Sequence, residues 1–165
     1  MNAVQRGLVE QLLGSSPVLG AEVDIRYRVL AVTVEPSAAD HPVDPAPADR
    51  RLQVVVHPVG SIAAALVDHA DPTAPTILHF DETQLADVFN AFADAVSTAT
   101  AFDDAMPDVD VLGDRLSMFG SAQTGDGTAT TLHLHLDEPG GTLTLDLWAS
   151  FDELEVRDAD GQVIA

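Results

Sequence analysis

Apolar residues recur at helical spacing in two segments of the chain. The first segment, residues 2–14, has the apolar positions Val4, Leu8, Leu12 and Leu13. The second, residues 82–99, follows an Asp81–Gln84 pair of capping-box form and has the apolar positions Leu85, Val88, Phe89, Phe92 and Val96. Such a stripe buries one face of a helix. Both segments are therefore predicted to be α-helices, the second packing on a sheet through Leu85, Phe89 and Phe92.

Alternating or continuous apolar runs predict strands in most of the remaining sequence. The predicted strands cover residues 22–34, 51–57, 61–69, 76–80, 115–122, 129–137, 142–150, 153–157 and 162–165. The run 61–69 is rich in Ala and leaves a helical turn open as an alternative. Turn sequences at 124–127 (TGDG), 138–141 (EPGG) and 158–161 (DADG) join successive strands as hairpins.

This order of elements predicts an α+β fold, with an antiparallel sheet built from hairpins and two principal helices. The length suits one domain, residues 1–165. Two α-plus-strand halves, 1–80 and 81–165, are an alternative description that would reflect an old duplication. Residues 35–49 contain four prolines and are predicted to be a mobile loop, with His41 solvated.

The chain is strongly acidic, with 27 Asp and Glu against seven Arg, no Lys and a formal net charge of -20. Phosphate backbones and anionic lipid repel such a chain, so nucleic-acid and membrane partners are not expected. With no Cys there is no disulfide, no thiol nucleophile and no Cys-based zinc site. The excess charge peaks at residues 103–114, predicted to lie in an acidic loop over 100–114. This peak is either a docking face for a basic protein partner or a solvated loop of a compositionally acidic chain.

The start of the chain shows no continuous apolar core of a signal peptide, and no run approaches the roughly 20 apolar residues of a membrane span. A cytoplasmic location is therefore expected.

The predicted hairpin around Pro139–Gly140 carries the strongest candidate chemistry. With the turn centred there, three Leu pairs form one face (Leu136–Leu143, Leu134–Leu145 and Leu132–Leu147). The other face then pairs His135 with Thr144, His133 with Asp146 and Thr131 with Trp148. Imidazole and carboxylate groups are ligands for Zn or Fe, so His133, His135 and Asp146 are a candidate metal site. The alternative is a polar sheet face on which His133 simply pairs with Asp146.

Other candidate residues have weaker sequence support. His57, His69 and His79 lie near predicted strand ends, with Asp68 and Asp81 close by, as an acid–base dyad would require. The DADG turn resembles part of a calcium loop but lacks its further carboxylates. Trp148, the sole Trp, is either part of a second small core or an interface anchor.

No catalytic, cofactor-binding or metal-binding residues are assigned from the sequence, and no cofactor is expected. The uneven distribution of the acidic residues, together with the absence of a catalytic constellation in the sequence, predicts a non-enzymatic protein-binding module, such as an accessory, chaperone-like or toxin-neutralising partner. The alternatives are a small-molecule-binding or metal-dependent enzyme using the His133, His135 and Asp146 face, and a self-associating homo-oligomer.

Overall fold

The computed structural model describes residues 1–24, 26–71, 76–77, 82–102 and 130–165. Two helices are present in this part of the chain, α1 (Ala3–Ser15) and α2 (Glu82–Ala91). The strands are β1 (Val18–Asp24), β2 (Val29–Val34), β3 (Leu52–Asp68), β4 (Thr76–Ile77), β5 (Ser97–Ala101), β6 (Thr130–Asp137) and β7 (Leu143–Arg157). The end of predicted strand 76–80, the Asp81 cap, most of the predicted acidic loop 100–114 and the predicted strand 115–122 lie outside the described residues.

The described strands form one antiparallel sheet, which confirms the predicted α+β class. Its order is β1-β2-β3-β7-β6-β5, with β4 paired to β3 beside this path. The order is symmetric about the β3–β7 pair, and each half has a helix followed by strands. Helix α1 packs against β5 and β7, whereas α2 packs against β1, so each helix contacts the strands of the other half. The single-domain boundary and the duplication stay predictions.

The core lies between the helices and one face of the sheet. Its largest fully buried side chains include four phenylalanines, Phe89, Phe92, Phe102 and Phe151. The rings of Phe102 and Phe151 meet edge to face, with centroids 6.3 Å apart. This packing joins the end of β5 to the middle of β7.

The single strand predicted over residues 22–34 is wrong. The segment forms two strands, β1 and β2, joined by a turn that includes Tyr27 and Arg28. The Asp24 carboxylate accepts the backbone N–H of Tyr27, and Arg28 has a positive φ of 56°, so the chain reverses there. Tyr27 is consequently 66% exposed instead of alternating into a buried face.

Two predicted strand breaks do not occur. Predicted strands 51–57 and 61–69 are one strand, β3, and predicted strands 142–150 and 153–157 are one strand, β7. The helical alternative for 61–69 is therefore also wrong. The His57–Pro58 peptide bond is cis, and the register between β3 and β7 shifts between Val59 and Ile62. His57 pairs with Glu153 and Val59 with Phe151 in one register, so Pro58 lies within the regular pairing and the bulge follows it.

Helix α2 is shorter than the predicted 82–99. It ends at Ala91, and Asp94 with a positive φ of 69° turns the chain into β5. Phe89 and Phe92 are fully buried as expected, but Val96 is 37% exposed and does not extend the buried stripe. Since β5 begins at Ser97 and ends at Ala101, the predicted acidic loop also does not begin at residue 100.

His41 is buried, with only 7% of its surface exposed. The prediction that it is solvated is therefore wrong. Its Nδ1 accepts the backbone N–H of Val43 at 3.1 Å. The ends of the proline-rich segment are held together because Arg50 donates to the Pro36 carbonyl and pairs with Glu35. The predicted mobility of residues 35–49 stays a prediction.

Candidate functional site

The β6–β7 hairpin closes through a turn over Glu138–Gly141, as its EPGG sequence predicts. The N–H of Gly141 donates to the Glu138 carbonyl at 2.8 Å, and the N–H of Glu138 donates to the Leu143 carbonyl at 2.9 Å. Gly141 has a φ of 74°, a conformation that glycine adopts at no steric cost. Pro139 occupies the position after Glu138, where its fixed φ favours a turn.

The strand register differs from the prediction by two residues. Leu136 faces Leu145 and Leu134 faces Leu147, whereas Leu132 faces Ala149. The loop includes Gly141 and Thr142, so its centre lies one residue later than the predicted Pro139–Gly140 centre. The predicted cross-strand pairs are therefore wrong.

The two faces of the hairpin are nevertheless the predicted ones. Side chains alternate with a period of two, so a two-residue shift returns each side chain to its own face. The polar face pairs residues as His133–Trp148, His135–Asp146, Asp137–Thr144 and Thr131–Ser150. His133, His135 and Asp146 thus share one face, as the sequence indicates.

Both imidazole rings contact the same oxygen of Asp146. His133 Nε2 lies 2.9 Å from Oδ1, and His135 Nδ1 lies 2.7 Å from it. Because a carboxylate oxygen accepts, His133 donates through Nε2 and His135 through Nδ1. The three side chains are 17%, 33% and 19% exposed for His133, His135 and Asp146, respectively. They form a half-buried, hydrogen-bonded His–Asp–His triad.

Trp148 lies beside this triad. Its ring stacks on His133, with centroids 4.7 Å apart and an interplanar angle of 13°. Across the sheet, Trp148 faces His133 on one side and Ala63 of β3 on the other. The fluorescence of this Trp, the sole one in the chain, should therefore be sensitive to changes at the triad.

A third histidine, His69, joins the site from the end of β3. Its Nδ1 lies 2.8 Å from the Gly141 carbonyl, and its Nε2 lies 2.6 Å from Thr144 Oγ1. Thr144 Oγ1 donates to Asp137 Oδ1 at 2.8 Å, and His135 Nε2 lies 3.7 Å from that same oxygen. Three histidines and two aspartates thus form one continuous polar array.

The sequence associates His69 with Asp68, but the structure gives it other partners. The Asp68 carboxylate accepts the N–H of Ala70 instead. His69 reaches the hairpin because Asp68 pairs with Leu143 across β3 and β7. Its only sequence signal is a strand-end position, which does not identify a partner 75 residues away. The second predicted dyad, His79 with Asp81, lies outside the described residues.

His57 lies on the other half of the β3–β7 pair, next to two glutamates. Its Nε2 is 3.3 Å from Glu155 Oε1, and its Nδ1 is 3.8 Å from Glu153 Oε2. Arg157 donates to Glu155 Oε2 through Nε at 2.9 Å and Nη2 at 2.7 Å. These hydrogen bonds, with His57 nearby, lower the pKa of Glu155 despite the opposing effect of burial.

Within the part of the chain that the structure describes, no group of three or more His, Asp or Glu side chains is arranged to hold a metal ion. At the DADG turn, Asp158 Oδ1 accepts the N–H groups of Asp160 and Gln162. This oxygen stabilises the turn itself.

Comparison with known proteins finds no family model, no curated protein and no solved structure that matches this chain. Among the described residues, neither helix has the length and apolar character needed to cross a membrane.

Proposed function

We propose that this chain is a non-enzymatic protein-binding module that recognises a basic protein partner, in an accessory, chaperone-like or toxin-neutralising role. The supporting observation is the use of its arginines. The described residues contain 20 Asp and Glu and six Arg. Four of those arginines, at positions 6, 50, 51 and 157, already pair with a carboxylate of the same chain. Internal pairing therefore leaves a large excess of negative charge for a partner.

The second half of β7 has two adjacent exposed carboxylates, and the proposal places the partner on this surface. Asp152 and Glu153 are both exposed, and the Glu153 side chain is 71% exposed. An exposed carboxylate pair attracts Lys and Arg side chains and accelerates association at low salt. The acidic peak at residues 103–114 lies outside the described residues and stays a predicted docking face. The proposal includes the cytoplasmic location expected from the sequence.

The test measures binding of a fluorescently labelled nine-arginine peptide to the full chain over a salt series. Two variants remove the same charge from different surfaces. Asp152→Asn/Glu153→Gln acts on β7, and Glu22→Gln/Asp24→Asn acts on β1, where both residues are exposed. We expect salt-sensitive binding that the β7 variant weakens more than the β1 variant. Equal weakening would contradict a docking surface on β7, and no binding by the unaltered chain at low salt would contradict the function.

A second candidate function is small-molecule binding or metal-dependent catalysis on the polar face of the hairpin. The contact of His133 and His135 with one oxygen of Asp146 favours small-molecule binding with acid–base chemistry, whereas no group of the described residues is arranged to hold a metal ion. His residues that share a carboxylate can serve as a general acid or base. Elemental analysis of protein purified without a histidine tag, repeated on His133→Ala, tests the metal. Stoichiometric metal that survives this substitution would exclude the triad as its site.

A further inference from the structure

The turn between β1 and β2 presents the sole tyrosine of the chain to solvent. Tyr27 is 66% exposed, and the guanidinium carbon of Arg26, which is also exposed, lies 5.5 Å from the centroid of its ring. This distance allows a cation–π contact between the two side chains. Tyr and Arg are both enriched at protein interfaces and at their binding hot spots. The exposed pair is therefore a candidate contact element.

Hydrogen bonds order this turn without a partner. The Asp24 carboxylate accepts the backbone N–H of Tyr27 at 3.0 Å. Arg28 donates through Nε to the Val59 carbonyl at 2.8 Å, and the N–H of Val59 donates to the Arg28 carbonyl at 2.7 Å. Because the turn is already fixed to β3, its backbone loses little conformational freedom on association.

Arg26 differs from the other described arginines in its charge partners. Arg28 binds a carbonyl, and four others pair with carboxylates of the same chain, at positions 6, 50, 51 and 157. Within the part of the chain that the structure describes, Arg26 forms no ion pair. The same part contains 20 Asp and Glu, so Arg26 is an isolated cation on a surface of opposite charge.

The turn lies close to the exposed carboxylates of β7. Val59, which is hydrogen-bonded to Arg28, pairs with Phe151 across β3 and β7. Neighbouring strands are about 4.8 Å apart, so the backbones of Arg28 and Phe151 are about 10 Å apart. Asp152 and Glu153 follow Phe151 directly and are both exposed. A cation with an aromatic ring and a pair of carboxylates therefore occupy neighbouring positions on one surface.

We propose that this surface, the tip patch (Arg26, Tyr27, Asp152 and Glu153), joins two copies of the chain as a symmetric dimer. A two-fold axis places the turn of each copy against the carboxylates of the other, so every contact is made twice. Another acidic protein could accept Arg26 but would not supply a cation to Asp152 and Glu153, whereas a second copy supplies both. The dimer does not require the basic partner proposed above, which would compete for the same carboxylates.

The size of the tip patch indicates a weak dimer. Four residues from each copy cover much less than the roughly 800 Å² per partner of a standard interface. Sedimentation equilibrium of the full chain is therefore measured from about 10 μM to about 1 mM, a range that detects weak association. We expect the mass to rise with concentration from 17.4 kDa towards a dimer. A mass that stays at 17.4 kDa throughout would overturn the proposal.

Charge reversal tests which surfaces meet. Arg26→Glu and Glu153→Arg each bring like charges together in both copies of the contact, and each should weaken the dimer by at least about tenfold. An equimolar mixture of the two variants pairs opposite charges again and should dimerise within about threefold of the unaltered chain. Glu153→Arg also changes the net charge by two, from -20 to -18. If net repulsion alone controlled association, this variant would dimerise more tightly. That result, or a mixture no better than its components, would overturn the proposal.

Matched variants separate the tip patch from general effects of charge and hydrophobicity. Asp160→Arg and Arg51→Glu make the same two charge changes at exposed positions outside the patch and should alter dimerisation less than about threefold. Tyr27→Ala should weaken the dimer, whereas Tyr27→Phe and Val4→Ala, which shortens an 81% exposed side chain, should not. Far-UV circular dichroism checks that each variant is folded. Equal effects of the patch variants and these controls would overturn the proposal.

Discussion

Removing the Asp146 carboxylate should lower the free energy of unfolding, because two imidazole rings donate hydrogen bonds to its Oδ1. A hydrogen bond to a charged group contributes about 1.5–3 kcal/mol when buried. The side chains of His133, His135 and Asp146 are 17–33% exposed, so each of the two hydrogen bonds should contribute an amount near the low end of this range. Asp146→Ala should lower the free energy of unfolding by about 2–3 kcal/mol, since it leaves two half-buried N–H donors without their acceptor. Asp146→Asn keeps an acceptor oxygen in place and should cost about 1 kcal/mol.

The assay is urea unfolding at pH 7, followed by fluorescence of Trp148 and by far-UV circular dichroism. Coincident transitions justify a two-state free energy. A double-mutant cycle with His135→Ala isolates the pair, and its coupling energy should reach about 1 kcal/mol. Asp152→Ala is the control for loss of an exposed carboxylate. If Asp146→Ala, Asp146→Asn and the control all fall within about 0.5 kcal/mol of the unaltered chain, the triad is not a stabilising hydrogen-bonded unit.

The same unfolding assay checks three further outcomes. Gly141→Ala places a Cβ at a φ of 74° and should cost about 1 kcal/mol, whereas Gly140→Ala, whose added Cβ meets its nearest neighbour at 3.6 Å, should change stability little. Phe92→Ala empties a fully buried site directly after α2 and should cost about 3–5 kcal/mol; a cost under about 1 kcal/mol would contradict the burial of this side chain. Arg157→Gln should cost about 0.5 kcal/mol at pH 7. Because Arg157 lowers the pKa of Glu155, its contribution is present above the ordinary pKa of a Glu and is lost as the pH falls through the lowered pKa of Glu155. A difference in stability between the two proteins that does not shrink at all as the pH is lowered would refute this pairing.

The elements that could be predicted best are those specified by neighbouring residues. Helix α1, predicted at 2–14, spans Ala3–Ser15 because its start depends on a local cap. The Asn2 side chain accepts the N–H groups of Val4 and Gln5, and the Gln5 side chain accepts the N–H of Asn2. Strand β6, predicted at 129–137, spans Thr130–Asp137 for a similar reason, since its alternation is regular.

The continuity of β3 and β7 could not be predicted from the local sequence, because pairing with other strands overrides the local signal. The predicted strands 51–57 and 61–69 leave a gap that includes Pro58, yet β3 continues through it. On the near side Val56 pairs with Leu30 of β2, and on the far side Val59 pairs with Phe151 of β7. With the residues on both sides of Pro58 paired, the loss of its one N–H donor does not interrupt the strand. The long strand is thus a property of the assembled sheet.

The candidate site combines a part that the hairpin specifies with a part that the sheet specifies. His133, His135 and Asp146 share a face because alternation depends only on the parity of the register, and a two-residue error leaves parity unchanged. His69 requires the β3–β7 pairing, which no feature of its own segment encodes. A change that slips β3 against β7 by one residue would leave the triad in place and remove His69 from Thr144. Loss of the His69–Thr144 hydrogen bond without loss of the coupling energy between Asp146 and His135 would therefore identify a shifted β3.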